Sequence, residues 1–180
     1  MLTRLTASAL NEVFLHDTQS LPCNQLSLLK DGVLLSSYII GKFIEQWNHV
    51  ASIDTTIAFS SLSRAELISC SKETILEEYV KWAYAKHSEL LLDATTRITS
   101  QSGVQQWDPF GMTLFSITLS KPLQAIQSRF PNVTIPAYAD DIYLIGNPQE
   151  IEQAADALSA ELRKYGLIRN QNKSKNKAKT

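Results

Sequence analysis

The residues best suited to chemistry are Asp140 and Asp141. They sit in the stretch Pro136-Ala137-Tyr138-Ala139-Asp140-Asp141-Ile142-Tyr143-Leu144-Ile145-Gly146, between two β-rich apolar runs at 133–139 and 142–145. That pattern predicts a hairpin with two carboxylates at its tip. Adjacent carboxylates repel, and each raises the other's pKa unless a cation or water screens them. A divalent metal reverses the penalty, and Mg²⁺ takes hard oxygen ligands of this kind. The plainer reading is a solvated turn, because Asp is a common turn former. The choice between the two depends on partners elsewhere in the chain.

One candidate partner is Asp54, which ends the short strand expected over Val50-Ala51-Ser52-Ile53. An Asp after a strand commonly caps a helical turn. If its strand neighbours the hairpin, however, Asp54, Asp140 and Asp141 share one edge of a sheet. The remaining elements must make that possible. Helices are expected over 2–14, 33–47, 64–70, 72–86, 109–128 and 148–164, from apolar positions at helical spacing. The apolar face of 33–47 reads as plain core. Asp108-Pro109 marks a helix start, Pro122 should bend or divide that helix, and Gly166 is a stop for the last one. Pro22 interrupts the first helix. Short strands are expected at 90–92, 97–99 and 167–170. The order of elements implies an α+β fold, an antiparallel sheet with helices packed on one face.

Composition narrows the class. The chain has 180 residues, with 17 Lys and Arg against 18 Asp and Glu, a formal net charge of -1. That is one domain, or one with an appendage, and it has no global basic field advertising nucleic acid. Cys23 and Cys70 lack paired spacing, and His16, His49 and His87 are scattered, so reduced thiols are expected and a zinc site is not. No apolar run reaches the ~18 residues of a membrane helix. The N-terminus lacks the apolar core of a secretory signal. These features imply an intracellular protein, nuclear or cytoplasmic, with no membrane partner. The lysines at 173, 175, 177 and 179 read as a disordered basic tail over 171–180.

Several motifs occur in one order: Asp54 with Ala58-Phe59; Ser102-Gly103-Val104-Gln105-Gln106, Asp108-Pro109 and Gly111; Tyr138-Ala139-Asp140-Asp141; then Gly166-Leu167, Asn170 and Lys173-Ser174. This series resembles the palm of reverse transcriptases, most closely those of non-LTR retroelements, over roughly residues 53–175. The resemblance implies a polymerase palm-like fold at 49–170, preceded by a partial helical fingers segment at 1–48. It implies RNA-directed DNA polymerase activity on an RNA template, a DNA primer and dNTPs, with two Mg²⁺ ions, or Mn²⁺. Phosphodiester synthesis joins a 3′-hydroxyl to an α-phosphate, and two metals about 3.5–4 Å apart stabilise the attacking and leaving oxygens.

By resemblance, Asp54 and Asp140 are the main metal ligands and Asp141 an adjacent ligand or support. Phe59 matches the steric gate that crowds the nucleotide 2′-position, Gln106 a contact to the incoming nucleotide, and Lys173 a cation near the triphosphate. Gly103 would let backbone approach template or nucleotide closely, and Tyr138 would help hold the primer end. The chain departs from the family at Trp107, where the family has Gly. An indole there is expected either to fill nucleotide space or to staple onto Met112. Milder departures are Ser60 and Phe110. No basic fingers motif is matched in the first fifty residues, and no thumb is expected after Lys173. Together these departures imply weak or lost polymerisation. The alternative is a catalytically inactive palm-fold remnant that binds nucleic acid.

Overall fold

The computed structural model describes residues 2–16, 24–46, 49–91 and 93–178, with side chains for 7–16, 24–46, 49–91 and 93–174. Pro22, Cys23, Trp47, Leu92 and Lys179 lie outside the described residues.

The frame of the site is a four-stranded antiparallel sheet. Its strands are β1 (His49–Ile53), β4 (Ala137–Tyr138), β5 (Asp141–Ile145) and β6 (Lys175–Ala178), in the order β4-β5-β1-β6. The remaining strands, β2 (Ser88–Leu91) and β3 (Arg97–Ser100), form a separate hairpin. Register follows from the period-two alternation of the two central strands. Ala51 pairs with Leu144 and Ile53 with Ile142, and all four are buried in the main core. The intervening pair, Ser52 and Tyr143, is only half-buried. The sheet is therefore sealed on one face, as expected for an α+β layer.

Seven α-helices accompany the sheet among the described residues: α1 (Leu2–His16), α2 (Gly32–Gln46), α3 (Ala58–Ser61), α4 (Arg64–Ser71), α5 (Glu77–Tyr84), α6 (Gly111–Arg129) and α7 (Pro148–Lys164). The last of these packs on β1 and β5, and α6 packs on α7. It is the clearest amphipathic element. Asn147 caps it by accepting from the Gln149 N–H, Pro148 opens it, and Ile151, Ala154, Ala155, Leu158 and Leu162 are its buried positions. Gly166 ends it at φ +78°, where an added Cβ would lie 2.5 Å from the Ser61 carbonyl oxygen. Gly166 thus stops one helix and lets it dock on the turn after α3.

Several elements differ from the sequence expectation. The helix expected at 72–86 starts only at Glu77. Before it, Glu73 takes φ +63°, Thr74 Oγ1 caps the Leu76 N–H, and Glu77 Oε2 caps the Glu73 N–H. The helix expected from Pro109 starts at Gly111, because Asp108 closes a preceding turn by accepting from the Phe110 N–H. Pro122 does not divide α6, which runs unbroken to Arg129. The apolar face of α2 is not plain core: Val33, Leu34, Tyr38 and Ile44 are exposed, and Gly32 and Ser36 are its buried residues.

The C-terminal stretch also differs. Residues 167–170 make no strand, only a bridge from Arg169 to Thr55 and backbone bonds on either side of it. Residues 175–178, expected to be disordered, pair with β1 as an edge strand. The backbone of β1 had one unpaired edge, and lysines suit an exposed edge strand. Among the described residues, no helix is long and apolar enough to cross a membrane.

Candidate active site at one edge of the sheet

The register of β1 and β5 decides where the acids go. Ile53 pairs with Ile142, so the next position places Asp54 beside Asp141. On the other side, Tyr138 pairs with Asp141. Tyr138, Asp141 and Asp54 thus make a row across three adjacent strand ends, at cross-strand spacings of roughly 5 Å. Asp140 occupies the hairpin turn next to this row, after Ala139 at φ +52°. Two segments far apart in the chain therefore bring three carboxylates to the same edge.

Asp54 does not cap the turn that follows it, since the cap position of α3 is Ile57, at φ 48° and ψ 44°. Its Oδ2 is buried and has no hydrogen-bond partner. A buried, unpartnered carboxylate oxygen is costly and calls for a cation. One cation stands nearby: Lys173 Nζ, 4.0 Å from Asp54 Oδ2. Asn170 builds the turn that brings it there. Its Oδ1 accepts from the N–H groups of Asn172 and Lys173, and its own N–H donates to the Asp54 carbonyl at 2.8 Å. Ser174 Oγ in turn accepts from the Asp54 N–H at 3.3 Å.

The Asp141 carboxyl is pushed above the ordinary value by burial first, then by the charges of Asp140 and Asp54. Mutual repulsion of this sort is what a divalent ion relieves. Among the described residues, however, no three His, Cys, Asp or Glu side chains are gathered closely enough to hold an ion as they stand. The acids share an edge without closing round a common point. The donor set itself, three carboxylates with one orphaned oxygen, fits a hard cation of the Mg²⁺ type.

The glycine-containing loop lies against α3. Gly103 has φ +71°, and a Cβ there would fall 2.4 Å from Ser60 Cα and 2.5 Å from the Phe59 carbonyl oxygen. The close approach that Gly103 permits is thus made by the chain's own backbone, with the Gly103 N–H donating to the Leu62 carbonyl and the Val104 N–H to the Phe59 carbonyl. Arg64, which is buried, fastens the same loop by donating to the carbonyls of Gly103 and Ser100. The ring of Phe59 stacks on Phe115 with centroids 4.2 Å apart and planes at 18°.

Next to this loop is a cleft of about 550 Å³ whose lining includes Ser60, Ser100, Gln106 and Trp107. Trp107 is 83 % exposed and sits at φ +65°. The indole thus buries little surface of its own. The Trp107 backbone occupies the left-handed region where glycine is at ease and other residues are strained. Asp108, directly after it, is held by hydroxyl donation from Tyr79 and Tyr84. Burial and the Asp108 charge push both phenols well above their usual range.

A family model described as reverse transcriptase (RNA-dependent DNA polymerase) matches residues 1–180. The chain belongs to the reverse transcriptase family. Over 75 residues it is 31% identical to the retrotransposable element SLACS 132 kDa protein of Trypanosoma brucei gambiense, covering 42% of this chain and 6% of that protein. Two telomerase structures share the fold. One is from Candida albicans, in complex with a fragment of telomeric RNA, at 13% identity and a TM-score of 0.59. The other is an apo telomerase from Candida tropicalis, truncated from its C-terminal domain, at 14% identity and a TM-score of 0.65. Each covers 96% of this chain, which spans 34% and 40% of theirs. The reverse transcriptase domain described here is therefore a small part of the length of its curated relative.

One part of this reverse transcriptase domain has no counterpart in the sequence reading. Gln25, fully buried, reaches the hairpin tip through its carboxamide: Nε2 donates to the Ala139 carbonyl at 2.9 Å and Oε1 accepts from the Ala139 N–H at 3.1 Å. The partner is a backbone segment 114 residues away. Its only local signal is a glutamine beside the leucines of Leu26-Ser27-Leu28-Leu29, next to Asn24, and that does not name a partner.

Proposed function

We propose that this reverse transcriptase domain is built for RNA-templated transfer of deoxynucleotides onto a primer 3′-hydroxyl, in a retroelement of the non-LTR type. The observation that carries this is the shared sheet edge of Asp54, Asp140 and Asp141, with Asp54 Oδ2 buried and unpartnered. In this proposal Asp54 and Asp140 hold two Mg²⁺ ions, or Mn²⁺, and Asp141 supports them. Bound there, the ions would screen the phosphate charge and favour the alkoxide of the primer.

The chain's own groups do the rest. Lys173, exposed beside Asp54, offers its ammonium to the departing pyrophosphate. Phe59, fixed by its stack on Phe115, presents an aromatic edge to the sugar 2′-position. Gln106, exposed on the cleft, meets the incoming nucleotide, and Tyr138, in the row with Asp141, supports the primer end. Residues 1–48 act as a partial fingers segment. Template and primer place the work in the nucleus or cytoplasm.

A second reading has its own observation. Trp107 projects, exposed, beside Gln106 on the same cleft, so it narrows the space a nucleotide needs. Polymerisation by this chain is on that ground weak or lost, and the limiting case is a palm-fold remnant that only binds nucleic acid. Primer extension on an RNA template with Mg²⁺ or Mn²⁺ separates the two. Extension that Asp140→Asn abolishes supports the enzyme. Undetectable extension, with RNA–DNA hybrid binding that weakens as salt rises, selects the remnant.

A further inference from the structure

The clamp on Ala139 extends well beyond one side chain. Ser27 Oγ donates to Gln25 Oε1 at 2.9 Å and lies 2.8 Å from Ser116 Oγ on α6. With the Ser27 proton committed to Gln25, Ser116 is the donor in the second bond. Ser116 and Gln25 are both fully buried. The Ala137 N–H also donates to the Asn24 carbonyl at 2.9 Å. A continuous line of hydrogen bonds thus runs from the central helix to the turn that carries Asp140. The orientation of the Gln25 amide is set by this network, because the flipped form would oppose N–H to N–H and oxygen to oxygen at Ala139.

What the clamp holds is a strained residue. Ala139 sits at φ +52° without being glycine, and such a conformation persists only where its surroundings over-determine it. Ala139 directly precedes Asp140 and lies inside the pairing of Tyr138 with Asp141. Released to negative φ, it would re-aim Asp140 and disturb the row that Asp141 makes with Asp54.

We infer that Gln25 is a positioning residue: its carboxamide fixes Ala139 in the left-handed conformation that sets Asp140 and Asp141 beside Asp54 for a divalent cation. This rests on the proposed reading of the three acids as ion ligands. A glutamine that only filled the core would affect stability and leave ion affinity alone.

The test uses the full 180-residue chain and Mn²⁺ alone as probe, followed by electron paramagnetic resonance, with circular dichroism to confirm the fold. Gln25→Met keeps the length and removes every hydrogen bond; Mn²⁺ affinity should fall roughly tenfold, as for other groups that orient ligands. The double variant Gln25→Met/Ala139→Gly should regain most of it, because glycine takes positive φ without support. If Gln25→Met fails to fold, Gln25→Asn, one methylene too short to reach both Ala139 groups, is read in the same way. Parent-like Mn²⁺ affinity in the folded Gln25 variant, with binding lost in Asp54→Asn, overturns the inference and leaves the reading of the acids standing. If Asp54→Asn and Asp141→Asn both bind Mn²⁺ as the parent does, that reading fails and the inference falls with it.

Discussion

Lys173 Nζ stands 4.0 Å from Asp54 Oδ2, a carboxylate oxygen that is buried and has no hydrogen-bond partner. The lysine comes from the turn after Leu167 and the acid from the end of β1, so the contact joins two motifs far apart in sequence. The lysine side chain is 74% exposed, and an ion pair of that kind contributes at most about 1 kcal/mol. It is therefore a weak competitor for the acid, and in the proposed function its ammonium is available to a phosphate.

From this follows the first expected outcome. Lys173→Met should strengthen Mn²⁺ binding about twofold, since a pair worth under about 1 kcal/mol is removed. It should also lower any primer extension roughly tenfold or more, by taking a cation from the leaving group. A titration of the ion paired with single-nucleotide extension checks both. Parallel losses in the two would show that Lys173 only supports the fold of the turn.

The second concerns Gly103. Its φ of +71° and the 2.4 Å approach to Ser60 Cα leave no room for a methyl group. Gly103→Ala should cost about 3 kcal/mol, from positive φ and backbone displacement together. Equilibrium denaturation in urea measures it as a lower midpoint with an unchanged slope. A loss below about 0.5 kcal/mol, the range of ordinary surface changes, would mean that the loop does not press on α3.

Much of this arrangement is legible in the sequence, and the rest is hidden for identifiable reasons. The alternation of Ala51 and Ile53, and of Ile142 and Leu144, announces two half-buried strands, and Asp54 and Asp141 at their ends then become neighbours by register alone. Asn147-Pro148 and the apolar stripe of α7 announce that helix equally well. Gln25 is hidden because its partner is a distant backbone, which leaves no spacing to detect. The late start of α5 is hidden because side chains of Thr74 and Glu77 satisfy backbone N–H groups that a longer helix would have used. The strand β6 owes its place to the open edge of β1, and its lysine-rich composition, though compatible with an edge strand, does not announce one by itself. The left-handed backbone of Trp107 is hidden because only the family comparison suggests a glycine there, and a comparison of letters does not state φ.

A third outcome turns on Asp141, whose carboxyl is raised above 3.8 by burial and by the charges of Asp140 and Asp54. A carboxyl raised in the folded state binds its proton more tightly there than in the unfolded chain. Its favourable contribution is thus fully present below the ordinary value and is lost as pH rises through the raised folded value. In the absence of metal, Asp141→Asn should then melt at a higher temperature than the parent at pH 7. The gain should vanish below pH 3.8, the ordinary value, and Mn²⁺ should restore the parent more than the variant. Thermal unfolding across pH, with and without Mn²⁺, is the measurement. An equal gain at all pH values would show that the effect is packing rather than charge.

The last outcome concerns Trp107, where backbone and side chain point the same way. At φ +65° a non-glycine residue carries strain on the order of 1 kcal/mol, and an indole 83 % exposed contributes little burial to set against it. Glycine's extra freedom in the unfolded chain offsets part of the relief. Trp107→Gly should therefore stabilise the domain by a few tenths to about 1 kcal/mol. The same change clears the side of the cleft next to Gln106. In the proposed function, extension at limiting dNTP should rise, chiefly through a lower KM, because the indole would obstruct nucleotide entry and not the acids at the sheet edge. Trp107→Ala isolates the second effect: it opens the cleft while keeping a Cβ at positive φ. It should then match the glycine variant in extension without its gain in stability. If neither variant extends better than the parent, the indole does not limit the reaction.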